Sequence, residues 1–382
     1  MPPLIRVIGS LNVDMVSVTP RFPSPGETIT ASSYFMSAGG KGANQAVACG
    51  RTSRPKPTSP NTPSTPSTPI DIEMLGAVGA LDGHFDALLK PTLEKSGVDT
   101  SRVRIIPDAY TGVAVIIVDE SAGGENRICF SPGANYKGMQ PVPEVLGLGL
   151  AAPVPDVIVL QGEIPKQSLI GTLHEIGAFK QRNRKEGKQG IEIGPDVVFN
   201  PAPAPPGGLR PEDGMNYVDH LIMNETEAEI MSPSEEELES HACVGENRKK
   251  NIAAFFHGYG TRYVIITLGS KGSWYSACRP GAGGPANGVD RFIGEIPADK
   301  VSKVLDTTAA GDTFVGAYAV EIARWREARR AAGKAGVDIT EGEMKERYET
   351  VTEQAMRLAT KAAARCVERQ GAMDSIPWED EL

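Results

Sequence analysis

Asp312 stands at the end of a run of small residues, Ala309-Ala310-Gly311, and ahead of an apolar-periodic stretch that reads as a helix. A small-residue turn opening a helix points unpaired backbone N–H groups at one spot, where the helix dipole also favours negative charge. That arrangement suits an anion. Asp312 itself is poorly explained by packing, because a carboxylate repels the anion the turn attracts. As a general base towards an incoming hydroxyl it has a purpose, and the combination reads as a phosphoryl-transfer site with Ala309, Ala310 and Gly311 as the anion hole.

Four further constellations surround it in the chain. Ala38-Gly39-Gly40-Lys41-Gly42-Ala43-Asn44-Gln45 is a glycine-rich turn running into a small-residue helix, where backbone can approach a ligand closely. A tight turn with Asn44 as helix cap is the alternative. Asn12 and Asp14, two apart on a strand, face the same way and suit the paired hydroxyls of a sugar. Asn224-Glu225-Thr226-Glu227 fits a helix N-terminus capped by Asn224, with Glu227 at the third position. Beside a nucleotide triphosphate, Asn224 and Glu227 also suit Mg²⁺ held through its waters. Thr267-Leu268-Gly269-Ser270-Lys271-Gly272 offers flexible backbone and a hydroxyl to a nucleotide, or forms a hairpin turn.

The elements that must position these residues alternate. Strand runs at Asp156 to Gln161, Asp196 to Asn200, His220 to Met223 and Arg262 to Thr267 are separated by helical patterns at Gln167 to Phe179 and Lys249 to Tyr259. This predicts an α/β fold, a doubly wound, mostly parallel central sheet with helices on both faces and ligands beyond the strand C-termini. The first strand, Leu4 to Ile8, is expected to continue through Ser10, Asn12 and Asp14. Thr28 to Ala38 and Thr111 to Pro132 carry polar alternation instead, and predict a small antiparallel β lid spanning about 11–45 and 108–135. Arg51 to Pro69 is nearly all Ser, Thr and Pro, and predicts a disordered loop. Residues 333–347, charged and glycine-bearing, predict a solvated insertion.

Composition narrows the function. Across 382 residues the formal net charge is −9, which argues against nucleic-acid and anionic-membrane partners. The five scattered cysteines, Cys49, Cys129, Cys243, Cys278 and Cys366, fit a reducing compartment. Without a bilayer-length apolar run or a signal-peptide pattern after Met1, the expectation is a cytoplasmic protein, with nuclear access open. There is no GxxxxGK[ST] P-loop, no GxGxxG after the first strand and no Cys or His cluster at metal spacing.

Taken in order, Asn12-Val13-Asp14, Gly39 to Ala46, Asn200-Pro201-Ala202-Pro203-Ala204, Asn224 to Glu229, Thr267 to Gly272 and Asp306 to Thr313 resemble the ribokinase-like carbohydrate and nucleoside kinases. The resemblance implies one kinase domain over 1–382 that makes D-ribose 5-phosphate from D-ribose and ATP at O5, with Mg²⁺ and an activating K⁺. It implies a sugar site of Asn12, Asp14, Gly40, Lys41, Asn44 and Glu163, with Val13, Gly42 and Ala43 in the same segments. Asn224, the loop from Thr267 through Leu268, Gly269, Ser270 and Lys271 to Gly272, Gly311, Asp312 and Thr360 would contact ATP, and Glu227 the water shell of Mg²⁺. Asp306, Thr308, Cys366, Arg369, Gly371 and Ser375 would frame the monovalent cation. A homodimer through the lid is implied as well. The rivals are a same-fold kinase of the fructokinase or adenosine kinase type and a non-catalytic sugar-binding regulator.

Overall fold

Short runs of branched aliphatic residues, buried on both faces, build the centre of the molecule. In the computed structural model, which describes residues 2–57, 69–123, 125–240, 247–278 and 291–382, the strands in chain order are β1 (Leu4–Ile8), β2 (Asn12–Thr19), β3 (Ser33–Gly39), β4 (Asp71–Gly79), β5 (Val98–Asp99), β6 (Val103–Ile106), β7 (Gly112–Asp119), β8 (Glu125–Ser131), β9 (Val157–Leu160), β10 (Asp196–Phe199), β11 (His220–Asn224), β12 (Tyr263–Thr267), β13 (Ser273–Ala277) and β14 (Phe292–Ile296). The central sheet runs β14-β13-β12-β11-β10-β9-β1-β4-β5, with β6 also on β4. Every pair from β12 to β5 is parallel, and β13 and β14 extend it antiparallel at one edge. The expected α/β architecture is thus the observed one.

Alternation within strands divides the core in two. Ile5, Val7, Val157 and Val159 pack on the side of the helices Lys41–Thr52, Ala310–Ala331 and Thr352–Val367. Ile8, Ile158 and Leu160 pack on the other side, with Leu169, Leu173 and Ile176 of the helix Lys166–Lys185 and Ile252 to Phe256 of the helix Arg248–Tyr259. Parallel strands send their C-terminal ends to one edge, so the loops after β1, β9, β10, β11 and β12 meet there.

The lid is a separate sheet ordered β3-β2-β7-β8. Its outer pairs are antiparallel, and its central pair, β2 with β7, is parallel from Asn12↔Gly112 to Thr19↔Asp119. The first strand does not run on to Asp14 as expected: Gly9, Ser10 and Leu11 break it, and β2 starts afresh in the second sheet.

Two boundaries move. Arg51 and Thr52 end a helix and are buried, since Arg51 donates to the carbonyls of Met373 at 2.6 Å and Ile376 at 3.0 Å. Of the Ser/Thr/Pro tract, residues 58–68 lie outside the described residues. The charged insertion is mostly exposed, but its last residue, Arg347, is buried against Asp196 at 2.9 Å, where two opposite charges satisfy each other.

Candidate active site

The helix Ala310–Ala331 begins with Ala309 at φ 60°, the one non-glycine residue in the left-handed region among the described residues. A small side chain limits the strain of that conformation. A Cβ built on Gly311 would meet nothing within 4 Å, so the space above this turn is open. Asp312, at 6% exposure, projects from the first helical turn. Its Oδ2 accepts from Asn44 Nδ2 at 3.0 Å and its Oδ1 from Gln45 Nε2 at 2.9 Å. Asn44 therefore does not cap its helix, as one reading of the sequence had it. That helix, Lys41–Thr52, is preceded by Gly40 at φ 91°, where the absence of a Cβ leaves room for Asn12 N.

Facing Asp312 across the opening is a second polar group. Glu163 Oε2 accepts from Ser10 Oγ at 2.6 Å, Lys41 N at 3.0 Å and Asn12 Nδ2 at 3.3 Å. Asn12 Oδ1 in turn accepts from Asn135 Nδ2 at 2.7 Å, and the Asn135 amide also brackets the backbone of Leu11. Burial, then the neighbouring Glu163 and Asp312, push Asp14 up to about 7. Lys41 is held above its usual range, chiefly by Asp312. One cation among several carboxylates leaves an excess of hydrogen-bond acceptors, as recognition of a polyol requires.

A third group lies at the end of β11. Asn224 caps the helix Glu225–Met231 in a reciprocal box, Glu227 N to Asn224 Oδ1 at 2.7 Å and Asn224 N to Glu227 Oε2 at 2.9 Å. Burial raises Glu227 above the ordinary carboxylate range.

These groups line one cleft of about 1120 Å³, roofed by the lid through Val16, Ala114, Ile116 and Ile128. Asn12, Asp14, Gly40, Lys41, Asn44, Glu163, Asn224, Glu227, Thr267, Asp306, Thr308, Ala309, Gly311, Asp312 and Gly371 all border it. Val13, Gly42, Ala43 and Ala310 stand behind these linings. Leu268 to Gly272 form the hairpin turn between β12 and β13, closed by Leu268 N to Gly272 O at 2.8 Å. Thr360 does not reach the cleft; it is buried, with its hydroxyl 3.2 Å from that of Ser273.

Asp306 ties two loops together, accepting from Thr308 N at 2.9 Å and Gly371 N at 3.0 Å. Cys366 and Ser375 touch at 3.0 Å beneath them, while the Arg369 guanidinium turns away to Glu381 at 3.0 Å. Sequence reasoning gave no role to Gln45, Gln161, Ser10 or Asn135. The period-two spacing of Ser10 with Asn12, and the place of Gln45 in the Gly39 to Ala46 string, were signals for two of them.

A single cleft that joins an acceptor-rich end, an open helix start and a buried carboxylate has the parts expected of a sugar kinase. The family model for pfkB family carbohydrate kinases matches residues 3–379, and the chain belongs to that family. A ribokinase of Schizosaccharomyces pombe is 34% identical over 98% of this chain and 94% of its own. The structure of Arabidopsis thaliana ribokinase complexed with ribose and ATP is similar with a TM-score of 0.68, 25% identity and coverage of 99% and 96%. Ribokinase from Giardia lamblia gives 0.71, with 26% identity and coverage of 100% and 97%.

Proposed function

We propose that this protein transfers the γ-phosphoryl group of ATP to O5 of D-ribose. The observation that carries this is Asp312: a buried carboxylate, held on both oxygens, at the open start of a helix and in one cleft with Asn12, Asp14 and Glu163. Support comes from the full-length similarity to ribokinases, one of them solved with ribose and ATP.

Asn12, Asp14, Lys41, Asn44 and Glu163 bind the sugar hydroxyls. Asp312 takes the proton from O5 as that oxygen attacks, and the first-turn amides around Ala309 to Gly311 take up charge spreading onto the transferred phosphoryl oxygens. Asn224 and the hairpin Thr267 to Gly272 hold the nucleotide. The lid closes and excludes water, which would otherwise compete for the phosphoryl group.

Glu227, beside Asn224 in the cleft lining, would hold Mg²⁺ through its waters, and the ion would supply charge neutralisation for the phosphates. K⁺ fits the loops joined by Asp306, where the Thr308 and Gly371 segments offer main-chain carbonyls. Asp306 braces those loops, and Arg369 enters only through its backbone. Phe35, Ile128 and Phe130 are exposed on the cleft side of the lid, at 49%, 59% and 39%, and pack in a homodimer. No helix among the described residues is long and apolar enough to cross a membrane, and a cytoplasmic place suits an ATP-dependent enzyme.

The test is ADP release from a panel of ribose, 2-deoxyribose, fructose and adenosine, with and without potassium. Ribose is expected to be the best acceptor and potassium to raise the rate; fructose or adenosine turned over as well as ribose would refute the substrate.

A further inference from the structure

Gln45 is fully buried in the helix Lys41–Thr52, next to Asn44. A glutamine costs desolvation in such a place unless its amide is satisfied, and an aliphatic side chain would fill the volume at no such cost. Here the amide is fully engaged. Its Nε2 donates to Asp312 Oδ1 at 2.9 Å and to Asn200 Oδ1 at 3.1 Å, which uses both hydrogens. Its Oε1 accepts from Gln161 Nε2 at 2.7 Å.

The neighbours fix which way that amide points. The Asp312 carboxylate takes a donor, so Gln45 turns its nitrogen there and its oxygen to Gln161, whose Nε2 donates to it while the Gln161 Oε1 has no partner among the described residues. Asn200 spends its own Nδ2 on Ile222 O at 2.9 Å and Glu227 Oε2 at 3.4 Å, leaving Oδ1 for Gln45. Gln161 and Asn200 follow β9 and β10, so the chain of amides is anchored to the central sheet. Asn44 holds the other oxygen of Asp312 from the same helix.

We infer that Gln45 is a positioning residue for the Asp312 base: it fixes the plane of the carboxylate, under orientation by Gln161, and keeps a donor on Oδ1. This rests on the phosphoryl-transfer reading. A fixed plane keeps a lone pair aimed at the attacking hydroxyl, and a donor favours the ionised form that can accept its proton. The charged and titratable groups around Asp312 are Lys41 on the helix of Gln45, Asp14 on β2, Glu227 on the helix Glu225–Met231 and Cys366 on the helix Thr352–Val367. All of them remain in a Gln45 variant.

The experiment measures kcat, KM for ribose and the acid limb of the kcat–pH profile for wild type, Gln45→Met and Gln161→Leu, with melting temperatures alongside. Gln45→Met is expected to lose about 10- to 100-fold in kcat, the effect of one strong hydrogen bond to a charge. Its KM should stay within about twofold and its acid limb should move up, the consequence of a lost donor. Gln161→Leu, which does not touch Asp312, should shift both in the same direction by less. A folded Gln45→Met with unchanged kcat and an unmoved acid limb overturns the inference, as does a loss confined to KM. Should Gln45→Met not fold, Gln45→Glu decides: a second carboxyl coupled to Asp312 moves the limb up or down, and an unmoved limb overturns the role. Wild-type protein inactive on all acceptors sinks the phosphoryl-transfer reading and this inference with it, whereas a variant result sinks the inference alone.

Discussion

Asp312 and Asp14 are both carboxylates in one cleft, yet their surroundings differ. Asp312 receives two side-chain N–H donors, which suits the general-base role proposed for it. Asp312→Asn should keep the fold and lower turnover by about 10²- to 10⁴-fold, the usual loss of a general base; steady-state ADP release checks it. Asp14 has burial and two like charges against it, and is pushed up to about 7. Between the unfolded value near 4 and that value the folded protein holds the extra proton, so ligand-free stability falls as pH rises across this window. Asp14→Asn should remove that slope, melting higher than wild type at pH 8 by roughly a few degrees while binding ribose less tightly. Thermal melts at pH 4.5 and pH 8 decide it: parallel pH slopes in the two proteins would refute the assignment.

At the scale of elements, the site depends on how closely two helices approach. Lys41–Thr52 carries Asn44 and Gln45, Ala310–Ala331 carries Asp312, and they cross at Gly316, where an added Cβ would lie 2.4 Å from Ala48 Cβ and 2.8 Å from Cys49 N. Gly316→Ala should therefore cost about 1–3 kcal/mol of stability through overpacking and also lower kcat, because separating the helices lengthens both bonds to Asp312. Denaturant unfolding and kcat measured together test this. The helices and parallel strands were legible, since apolar runs and 3.6-residue periods are local signals. The break at Gly9 to Leu11 was not, because Ser10, Asn12 and Asp14 keep the same alternation across it. Nor was the parallel pairing of β2 with β7, which joins segments about a hundred residues apart.

Over the whole molecule, the edge of the sheet opposite the cleft is held by buried charge. Asp196 accepts from Arg326 at 3.0 Å and Arg347 at 2.9 Å, and Arg326 also reaches Asp156 at 3.2 Å. The buried arginines hold Asp196 well below the usual carboxylate range. Arg347→Ala should destabilise the fold by roughly 3 kcal/mol, the lower end for breaking a buried pair, because Arg326 still faces the charge. Its kcat should stay near wild type at temperatures where it is folded. The flanks of the Ser/Thr/Pro tract are also fixed, with Arg54 Nη2 donating to Ile70 O at 2.7 Å and Lys56 N to Asp380 Oδ1 at 2.9 Å. Replacing 58–68 by a short glycine-serine linker should leave kcat and melting temperature near wild type; a large fall in either would show that the tract contributes to the fold or the site.

Many of the residues that line the cleft were legible in the sequence because each sits in a short string whose local geometry explains it. Gly40 supplies a positive φ, Asn224 and Glu227 close a helix cap, and Ala309 to Asp312 open a helix. Such features depend on a few consecutive residues, so sequence alone determined them, together with the alternation that sets the α/β class. What holds those residues in place was decided by tertiary structure. Gln161, Gln45, Asn200 and Asp312 are far apart in the chain and of types that sit as readily on a surface. Only the parallel sheet, which brings its strand ends to one edge, buries their amides together, and burial is what makes them bond to one another and to Asp312.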